Sequence, residues 1–324
     1  MDPEGGRVDD PEILARIREL AIPPAWQEVW ICPYPNGHLQ ATGVDAAGRK
    51  QYRYHDAWRT ARDREKFEEM EDFARALPGL RERVSADLTA TGELTRERIL
   101  ACAIRLLDRG FFRIGSEDYA VQNESYGLAT MRKEHVKLHA PNTMEFDYIA
   151  KSGKRQLRDI VDPVVFDIVA ALKRRRGGGE ELLAWKEGRR WRDVRSPDIN
   201  AYVKEQTGGD FSAKDFRTWN ATLLAAFALG VSGEVAGTKT GRTRAINRAI
   251  KEVAFYLGNT PAVCRASYID PRVFDAYNGG TIVKPAVLAG VDFDGHPIHD
   301  PRFERAVIDL ITERESSRAL EKVA

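Results

Sequence analysis

Five residues whose side chains can act on a phosphate group stand in separate, distinctive contexts along this sequence. They are two arginines, a lysine, an amide and a phenol: Arg113, Lys151, Arg217, Asn259 and Tyr268. A guanidinium can donate two parallel hydrogen bonds to phosphate oxygens, an amide NH₂ can donate one, and a phenol can be a nucleophile. Taken alone, each is more often structural: an arginine can pair with a carboxylate, and a tyrosine can pack in a core. Only the set, as a pattern, is informative.

The sequence lacks the signatures of several other enzyme classes. It has neither the GxxxxGK[ST] loop typical of nucleotide hydrolysis nor the GxSxG motif that presents a nucleophilic serine. His135 and His139 are four residues apart, but they fall in a strand-like stretch without HExxH, so no metal site is predicted there. We therefore expect neither a metal nor another cofactor.

Five short motifs follow one another in the order found in a known family. They are FFRIG at 111–115, a lysine at a predicted hairpin tip at 151, KDFRTWN at 214–220, LGNTP at 257–261 and SY at 267–268. From about residue 13 to about residue 276, the chain resembles the small type IB DNA topoisomerases of bacteria and poxviruses. The resemblance implies an enzyme that relaxes supercoiled duplex DNA. It would cut one strand, form a 3′-phosphotyrosyl intermediate and reseal the strand without ATP or metal.

The same resemblance implies a catalytic role for each of the five residues. Tyr268 would attack the phosphate, and Arg113 and Arg217 would neutralise the charge growing on its non-bridging oxygens. Lys151 would protonate the leaving 5′ oxygen. A phenol has a reference pKa near 10, so its ionised form at pH 7 costs roughly 4 kcal/mol, which nearby cations can reduce. Asn259 stands where viral and eukaryotic relatives have histidine, but its amide can still donate to a phosphate oxygen.

DNA contacts outside the catalytic set also follow from the resemblance. It places Gln51, Tyr52 and Tyr54 on the DNA face, where glutamine can read base edges and tyrosine can contact phosphate or thymine methyl groups. Tyr119 and Lys214 are further candidates for phosphate or minor-groove contacts. The alternative for the 51–54 segment is a half-exposed strand stabilised by cross-strand aromatic pairs.

The distribution of turn residues predicts an α+β fold with two domains. A small β-rich N-terminal domain is expected at 1–85 and a larger, mainly helical catalytic domain with a short β-hairpin sheet at 86–324. Strands are predicted at 29–31 and 39–43, around a turn at 35–37. A polar stretch at 85–95 marks the expected boundary. The segment from 136 to 160 alternates like strands, turning at 141–142 and again at 152–153.

Helix starts are predicted where a capping side chain precedes a proline or an acidic residue. Asp162, Ser196 and Thr260 each stand directly before a proline. Ser212 with Asp215 resembles a capping box before a helix that runs to Leu229. Apolar spacing also predicts helices at 63–77 and 98–108, and a terminal one at 302–322.

The charge distribution and the cysteine content indicate which partners and which cellular compartment to expect. The net charge is only +1, yet residues 131–195 hold sixteen lysines and arginines against ten acidic residues, a distribution that can follow phosphates. Three widely spaced cysteines favour a reducing compartment. With no apolar run long enough to span a bilayer, we expect a cytoplasmic, nucleoid-associated protein. By resemblance, a monomer would form a C-shaped clamp around double-stranded DNA.

Two other functions are compatible with these residues. A tyrosine site-specific recombinase shares the catalytic domain and most of the set, but usually works as an oligomer on paired sites. A non-catalytic DNA-binding protein with a decayed active site is the other alternative. The presence of the tyrosine and of all three cationic positions argues against it.

Overall fold

The computed structural model describes residues 5–90, 92–233, 238–289, 299–314 and 316–322. The chain divides into two compact units, 1–68 and 69–324. This division falls inside a single long helix, whereas the boundary predicted at residue 85 lies further along the same helix and stays a prediction. Across the described ranges, no helix combines the length and apolar character needed to cross a membrane.

The first unit is a three-stranded antiparallel sheet with one short helix. Its elements are α1 (Pro11–Glu19), β1 (Gln27–Ile31), β2 (Leu39–Val44) and β3 (Lys50–Tyr54), with the strands in the order β1-β2-β3. Arg16 of α1 donates to Gln40 Oε1 at 2.9 Å and to the Cys32 carbonyl at 2.6 Å, which ties the helix to the sheet. The predicted strands at 29–31 and 39–43 are confirmed.

The second unit is mainly helical. Its helices are α2 (Asp56–Thr89, which starts in the first unit), α3 (Arg96–Gly110), α4 (Glu117–Asn123), α5 (Pro163–Arg174), α6 (Ser196–Thr207), α7 (Ala213–Val231), α8 (Lys239–Leu257), α9 (Pro261–Ser267), α10 (Pro271–Asn278), α11 (Pro285–Leu288) and α12 (Pro301–Ile311). A small β-rich region before a mainly helical one confirms the predicted α+β class.

Short antiparallel sheets complete the second unit. The strands are β4 (Val136–His139), β5 (Thr143–Ala150), β6 (Lys154–Val161), β7 (Ala184–Glu187), β8 (Arg190–Asp193), β9 (Thr281–Val283) and β10 (Leu320–Lys322). They pair as β4-β5-β6, β7-β8 and β9-β10. The predicted turns at 141–142 and 152–153 are the two connections of the first of these sheets.

Helix α7 is the centre of the core. Its sequence is apolar on nearly every side, and a helix of that kind is stable only when other elements surround it. Phe216 and Trp219 are buried, and Phe216 makes an edge-to-face contact with Phe73 of α2, with ring centroids 4.9 Å apart. At its start, the Asp215 carboxylate accepts the Ser212 N–H at 2.7 Å, as the predicted capping box requires.

A buried ion cluster joins α2, α3 and α12. Arg81 donates to Asp108 at 2.8 Å and to Glu304 at 2.7 Å, and His299 Nδ1 lies 3.8 Å from Asp108 Oδ1. Burial alone would raise the pKa of Asp108, but Arg81 and His299 outweigh it and hold that pKa well below its usual range. The cluster therefore links three helices through charges that depend on one another.

Two predictions of local structure are wrong. The terminal helix ends at Ile311 instead of continuing to 322, because Thr312 is its C-cap and Glu313 is left-handed (φ 52°). Leu320–Lys322 instead forms β10 against β9. Ser196 does not cap α6 but is its first residue, and its N–H and hydroxyl both donate to Glu117.

Candidate active site

Arg217 lies in the second turn of α7 and is almost fully buried, with 4% of its surface exposed. Its Nη1 donates to the carbonyl of Phe111, and its Nη2 donates to the carbonyl of Leu257 at 2.9 Å. The guanidinium is thus fixed between the end of α3 and the end of α8. A lysine could not reproduce this, because it lacks the planar fork.

Arg113 leaves the end of α3 through a tight turn. Phe111 adopts a left-handed conformation (φ 55°) that terminates the helix. The segment is then held by Gly127, where a Cβ would overlap the backbone of Gly115 and the carbonyl of Arg113. Arg113 Nη2 donates to the Gly258 carbonyl at 3.1 Å and to Asn259 Oδ1. The close backbone approach therefore directs this arginine towards the end of α8.

Asn259 follows the C-cap of α8. Gly258 is left-handed (φ 63°), a conformation that favours glycine, and a Cβ there would lie 2.8 Å from Gln156 Oε1. The Asn259 side chain accepts from Arg113 through Oδ1. Its Nδ2 is buried and has no hydrogen-bond partner among the residues that the structure describes. This amide therefore has a donor available for an added acceptor.

Tyr268 is the C-cap of α9, between two short helices. Thr260 caps the start of α9 as predicted, with Val263 N–H donating to its hydroxyl at 3.3 Å. After Tyr268, the buried Asp270 caps α10 and accepts the N–H of Arg272 at 2.9 Å. The Tyr268 ring centroid lies 5.3 Å from the guanidinium carbon of Arg217. The phenol is therefore held against a buried cation.

The electrostatics of the site are dominated by Arg217 and its neighbours. Burial, followed by repulsion from Arg113, lowers the pKa of Arg217 to about 10, while Tyr268 opposes the shift. The guanidinium is still charged at neutral pH. It is a poorly solvated cation that an anion would stabilise.

Lys151 lies at the tip of the β5–β6 hairpin, as predicted. The tip is a short helical turn, Lys151–Gly153, in which Ser152 and Gly153 are both left-handed (φ 69°). Lys151 is exposed, and its Nζ lies 5.9 Å from the ring centroid of Tyr119 on α4. Two residues predicted separately, the hairpin lysine and Tyr119, are therefore neighbours.

The structure thus gathers four of the five predicted residues through direct contacts. Arg113 contacts Asn259, and Arg217 contacts Tyr268. Both arginines donate to adjacent carbonyls at the end of α8, those of Gly258 and Leu257. Across the described part of the chain there is no group of three His, Cys, Asp or Glu side chains able to hold a metal ion.

Sequence reasoning missed two residues of this region, Tyr148 and Arg158. Arg158 of β6 donates to the carbonyl of Tyr256, and burial lowers its pKa, which Tyr148 opposes. Strand alternation carried a signal. Tyr148 and Arg158 occupy the same face of the hairpin as the buried Phe146 and Ile160, where a charged side chain is unusual.

In the first unit, the strand containing the predicted DNA contacts has two different faces. Tyr52 and Tyr54 are exposed on one face with ring centroids 6.2 Å apart, and Tyr54 stacks on Trp58 at 4.5 Å. Gln51 lies on the other face and donates to Asp45 at 2.8 Å. In the second unit, Lys214 is exposed in the first turn of α7.

Comparison with known proteins gives two family matches that cover different parts of the chain. Residues 55–278 match the family of the eukaryotic DNA topoisomerase I catalytic core. Residues 1–45 match the N-terminal domain of bacterial DNA topoisomerase IB.

Individual relatives agree with these matches. The DNA topoisomerase 1B of Acanthamoeba polyphaga mimivirus is 32% identical over 278 residues, covering 82% of this chain and 80% of the viral protein. DNA topoisomerase 1 of Schizosaccharomyces pombe is 32% identical over 165 residues, 51% of this chain and 19% of the yeast protein. That of Daucus carota is 27% identical over 161 residues, 49% of this chain and 19% of the plant protein. The chain therefore spans most of the viral relative but about a fifth of the length of these yeast and plant proteins.

Proposed function

The chain belongs to the type IB DNA topoisomerase family, and from that premise we propose that Tyr268 is the nucleophile with which it cuts and reseals one strand of duplex DNA. The observation that carries this assignment is the position of the Tyr268 ring, 5.3 Å from the buried guanidinium of Arg217. A cation in this position attracts the phosphate that the phenol must attack.

The reaction exchanges one phosphodiester for another. The phenol loses its proton to solvent, and its oxygen forms a bond to phosphorus. The bond to the 5′ oxygen breaks, and the strand end remains attached as a 3′-phosphotyrosine. Religation reverses these steps, with the 5′ hydroxyl as nucleophile. Because the covalent intermediate conserves the energy of the ester, resealing needs no ATP. Rotation of the free 5′ end between the two steps would remove supercoils.

Arg113, Arg217 and Asn259 would bind the non-bridging oxygens of the phosphate. The two guanidiniums lie next to each other at the end of α8, and the unpartnered Nδ2 of Asn259 is a further donor. As charge grows on these oxygens in the transition state, fixed donors stabilise it without reorganising. Loss of one such donor typically costs on the order of 3–4 kcal/mol.

Lys151 would be the general acid. A 5′ alkoxide is a much stronger base than a phenolate and leaves efficiently only when it is protonated. The exposed hairpin tip can enter the minor groove, where the flexible ammonium would reach the leaving oxygen. Lys151→Ala should therefore slow cleavage far more than it weakens binding. A substrate with a 5′-bridging sulfur, which needs no proton to leave, should restore the rate. Equal slowing on both substrates would refute the role.

The remaining predicted contacts would hold the duplex. The exposed tyrosine face of β3 suits a groove or backbone surface, and Lys214 and Tyr119 suit phosphates. We further propose that one chain acts alone, as a clamp, on chromosomal DNA in the cytoplasm. Relaxation whose rate per enzyme is independent of protein concentration would support the monomer.

Two measurements test the assignment. Wild-type protein should relax any supercoiled plasmid in EDTA without ATP, whereas a recombinase would exchange strands only between paired cognate sites. Labelled DNA should form a covalent adduct on a denaturing gel, and peptide mapping should place it on Tyr268. If Tyr268→Phe still forms the adduct, this nucleophile assignment is wrong. If wild-type protein forms none, the enzyme activity itself is refuted.

A further inference from the structure

Three arginines from different parts of the fold donate to three consecutive carbonyls at the end of α8. Arg158 of β6 donates to the carbonyl of Tyr256, Arg217 of α7 to that of Leu257, and Arg113, after α3, to that of Gly258. The last carbonyls of a helix have no partner within the helix and carry the negative end of its dipole, so cations are favourable there. Two of the three arginines are the proposed phosphate ligands.

The third arginine, Arg158, lies on the hairpin that carries Lys151. Its Nη2 also donates to Gln156 Oε1 at 2.7 Å, and Gln156 packs so closely on Gly258 that a Cβ there would lie 2.8 Å from the same Oε1. Two side chains of β6, separated by one residue, therefore contact consecutive parts of the 256–258 segment. These contacts join the hairpin of Lys151 directly to the segment that continues into Asn259.

Tyr148 of β5 lies opposite Gln156 in the same hairpin. Burial raises the pKa of the Tyr148 phenol, and the nearby positive charges of Arg158, Arg217 and Arg113 oppose that shift. Tyr148 is three residues before Lys151, and it pairs across the hairpin with Gln156. The half of the hairpin next to the turn therefore contacts the end of α8 through Gln156 and Arg158, while Lys151 at the tip is exposed.

We propose that Arg158 is a positioning residue for strand cleavage: it fixes the hairpin of Lys151 against the end of α8, so that the general acid and the phosphate ligands keep one relative geometry. The inference rests on the proposed function of Lys151 and Tyr268. Arg158 does not bind the phosphate itself. Its Nη2 donates to the Tyr256 carbonyl and to Gln156 Oε1, and Arg158 acts through those two hydrogen bonds.

The test compares Arg158→Ala with a matched control on the same strand. Arg155 also lies on β6, but on the opposite face, where it pairs with Asp147 at 2.6 Å. In single-turnover cleavage at saturating DNA, we expect Arg158→Ala to be slower by about 10- to 100-fold, since small displacements of a catalytic group have effects of that size. DNA affinity should change far less, and Arg155→Ala should cleave like wild type. Equal slowing in both variants would overturn the proposal.

A leaving-group substitution separates positioning from a general loss of structure. On the 5′-bridging sulfur substrate, Arg158→Ala should recover most of its rate, because the step that needs Lys151 is bypassed. The double variant Lys151→Ala/Arg158→Ala should be no slower than Lys151→Ala alone, since the two residues act in one step. A defect that persists on the sulfur substrate, or that multiplies in the double variant, would refute the role.

Two further measurements keep the outcome decisive. Arg158→Lys keeps a charge and one donor at the same place, and it replaces the alanine variant if that variant folds poorly. It should cleave more slowly than wild type, by a smaller factor, and it should also recover on the sulfur substrate. Adduct formation by wild-type protein is measured alongside. If wild type forms the adduct and both Arg158 variants cleave normally, only this inference fails. If wild type forms none, the proposed function fails first.

Discussion

The Arg217 guanidinium carbon lies 5.3 Å from the centroid of the Tyr268 ring, although the two residues are 51 positions apart in sequence. The contact exists because the end of α8 is fixed against α7, and α9 then returns the chain towards Arg217. The proposed nucleophile and the cation proposed to assist it are therefore adjacent in this fold.

Arg217 should tolerate neither truncation nor exchange for lysine. Arg217→Ala is expected to slow cleavage by about 10²- to 10³-fold, the usual effect of removing a donor to developing charge. Arg217→Lys should recover little of this, because one ammonium cannot bridge the carbonyls of Phe111 and Leu257 while also meeting a phosphate. Single-turnover cleavage measures both variants. Arg75→Ala, at an exposed position of α2, is the control. Near-normal cleavage by Arg217→Lys would contradict the prediction.

Asn259 should accept histidine but not aspartate. Asn259→His keeps a donor, so we expect cleavage within about tenfold of wild type, the scale of one neutral hydrogen bond. Asn259→Asp places a carboxylate beside Arg113, where it would form a charge-assisted pair and repel the phosphate. A much deeper loss is expected for aspartate in the same cleavage assay. A loss in Asn259→His as deep as that of Arg217→Ala would show that the pocket requires the amide.

The two faces of β3 allow the DNA-facing side to be identified. Tyr52→Ala and Tyr54→Ala should each lower DNA affinity, by about tenfold if the ring stacks on a nucleotide. The salt dependence of binding should not change, because no charge is removed. Gln51→Ala is the informative partner, since Gln51 lies on the opposite face and contacts Asp45. A larger loss of affinity for Gln51→Ala than for Tyr52→Ala would place the DNA on that other face.

Acid should destabilise the second unit through Asp108. Its pKa is depressed in the folded state, so as pH falls below about 4 the unfolded chain takes up the proton first, and the free energy of unfolding decreases. Asp108→Asn should be less stable at pH 7 and should lose less on acidification. Urea unfolding from pH 7 to pH 3 measures both effects. Asp72→Asn, exposed on α2, controls for removal of a carboxylate, and identical slopes for wild type and Asp108→Asn would refute the prediction.

The sequence predicted those parts of the site that depend on short-range signals. Ser152-Gly153 is a turn dipeptide, which predicts a hairpin tip at Lys151, and Thr260 stands directly before a proline, which predicts a helix start there. Such signals act within a few residues. The predicted helix at 302–322 was wrong because short-range propensity does not reveal that 320–322 pairs with a strand almost forty residues earlier.

The arginine cluster could not be predicted in the same way. Arg158 and Tyr256 are 98 residues apart, and Arg113 and Gly258 are 145 apart, so these contacts depend on the packing of the whole unit. Strand alternation predicts which face of the hairpin Arg158 occupies, but it does not predict that Arg158 binds the Tyr256 carbonyl. Gln51 shows the same limit: a half-exposed strand at 51–54 is only the alternative that the sequence offers, and the contact of Gln51 with Asp45 depends on the fold.

The carbonyls at the end of α8 reduce the conformational entropy that their arginine partners would otherwise lose on binding a ligand. A free arginine has many rotamers, and immobilising it costs about 2 kcal/mol. Because backbone oxygens already restrain Arg113 and Arg217, most of that entropy is lost when the chain folds. A phosphate bound by these two proposed ligands would then meet donors that are already oriented, so more of its interaction energy would remain to stabilise the transition state.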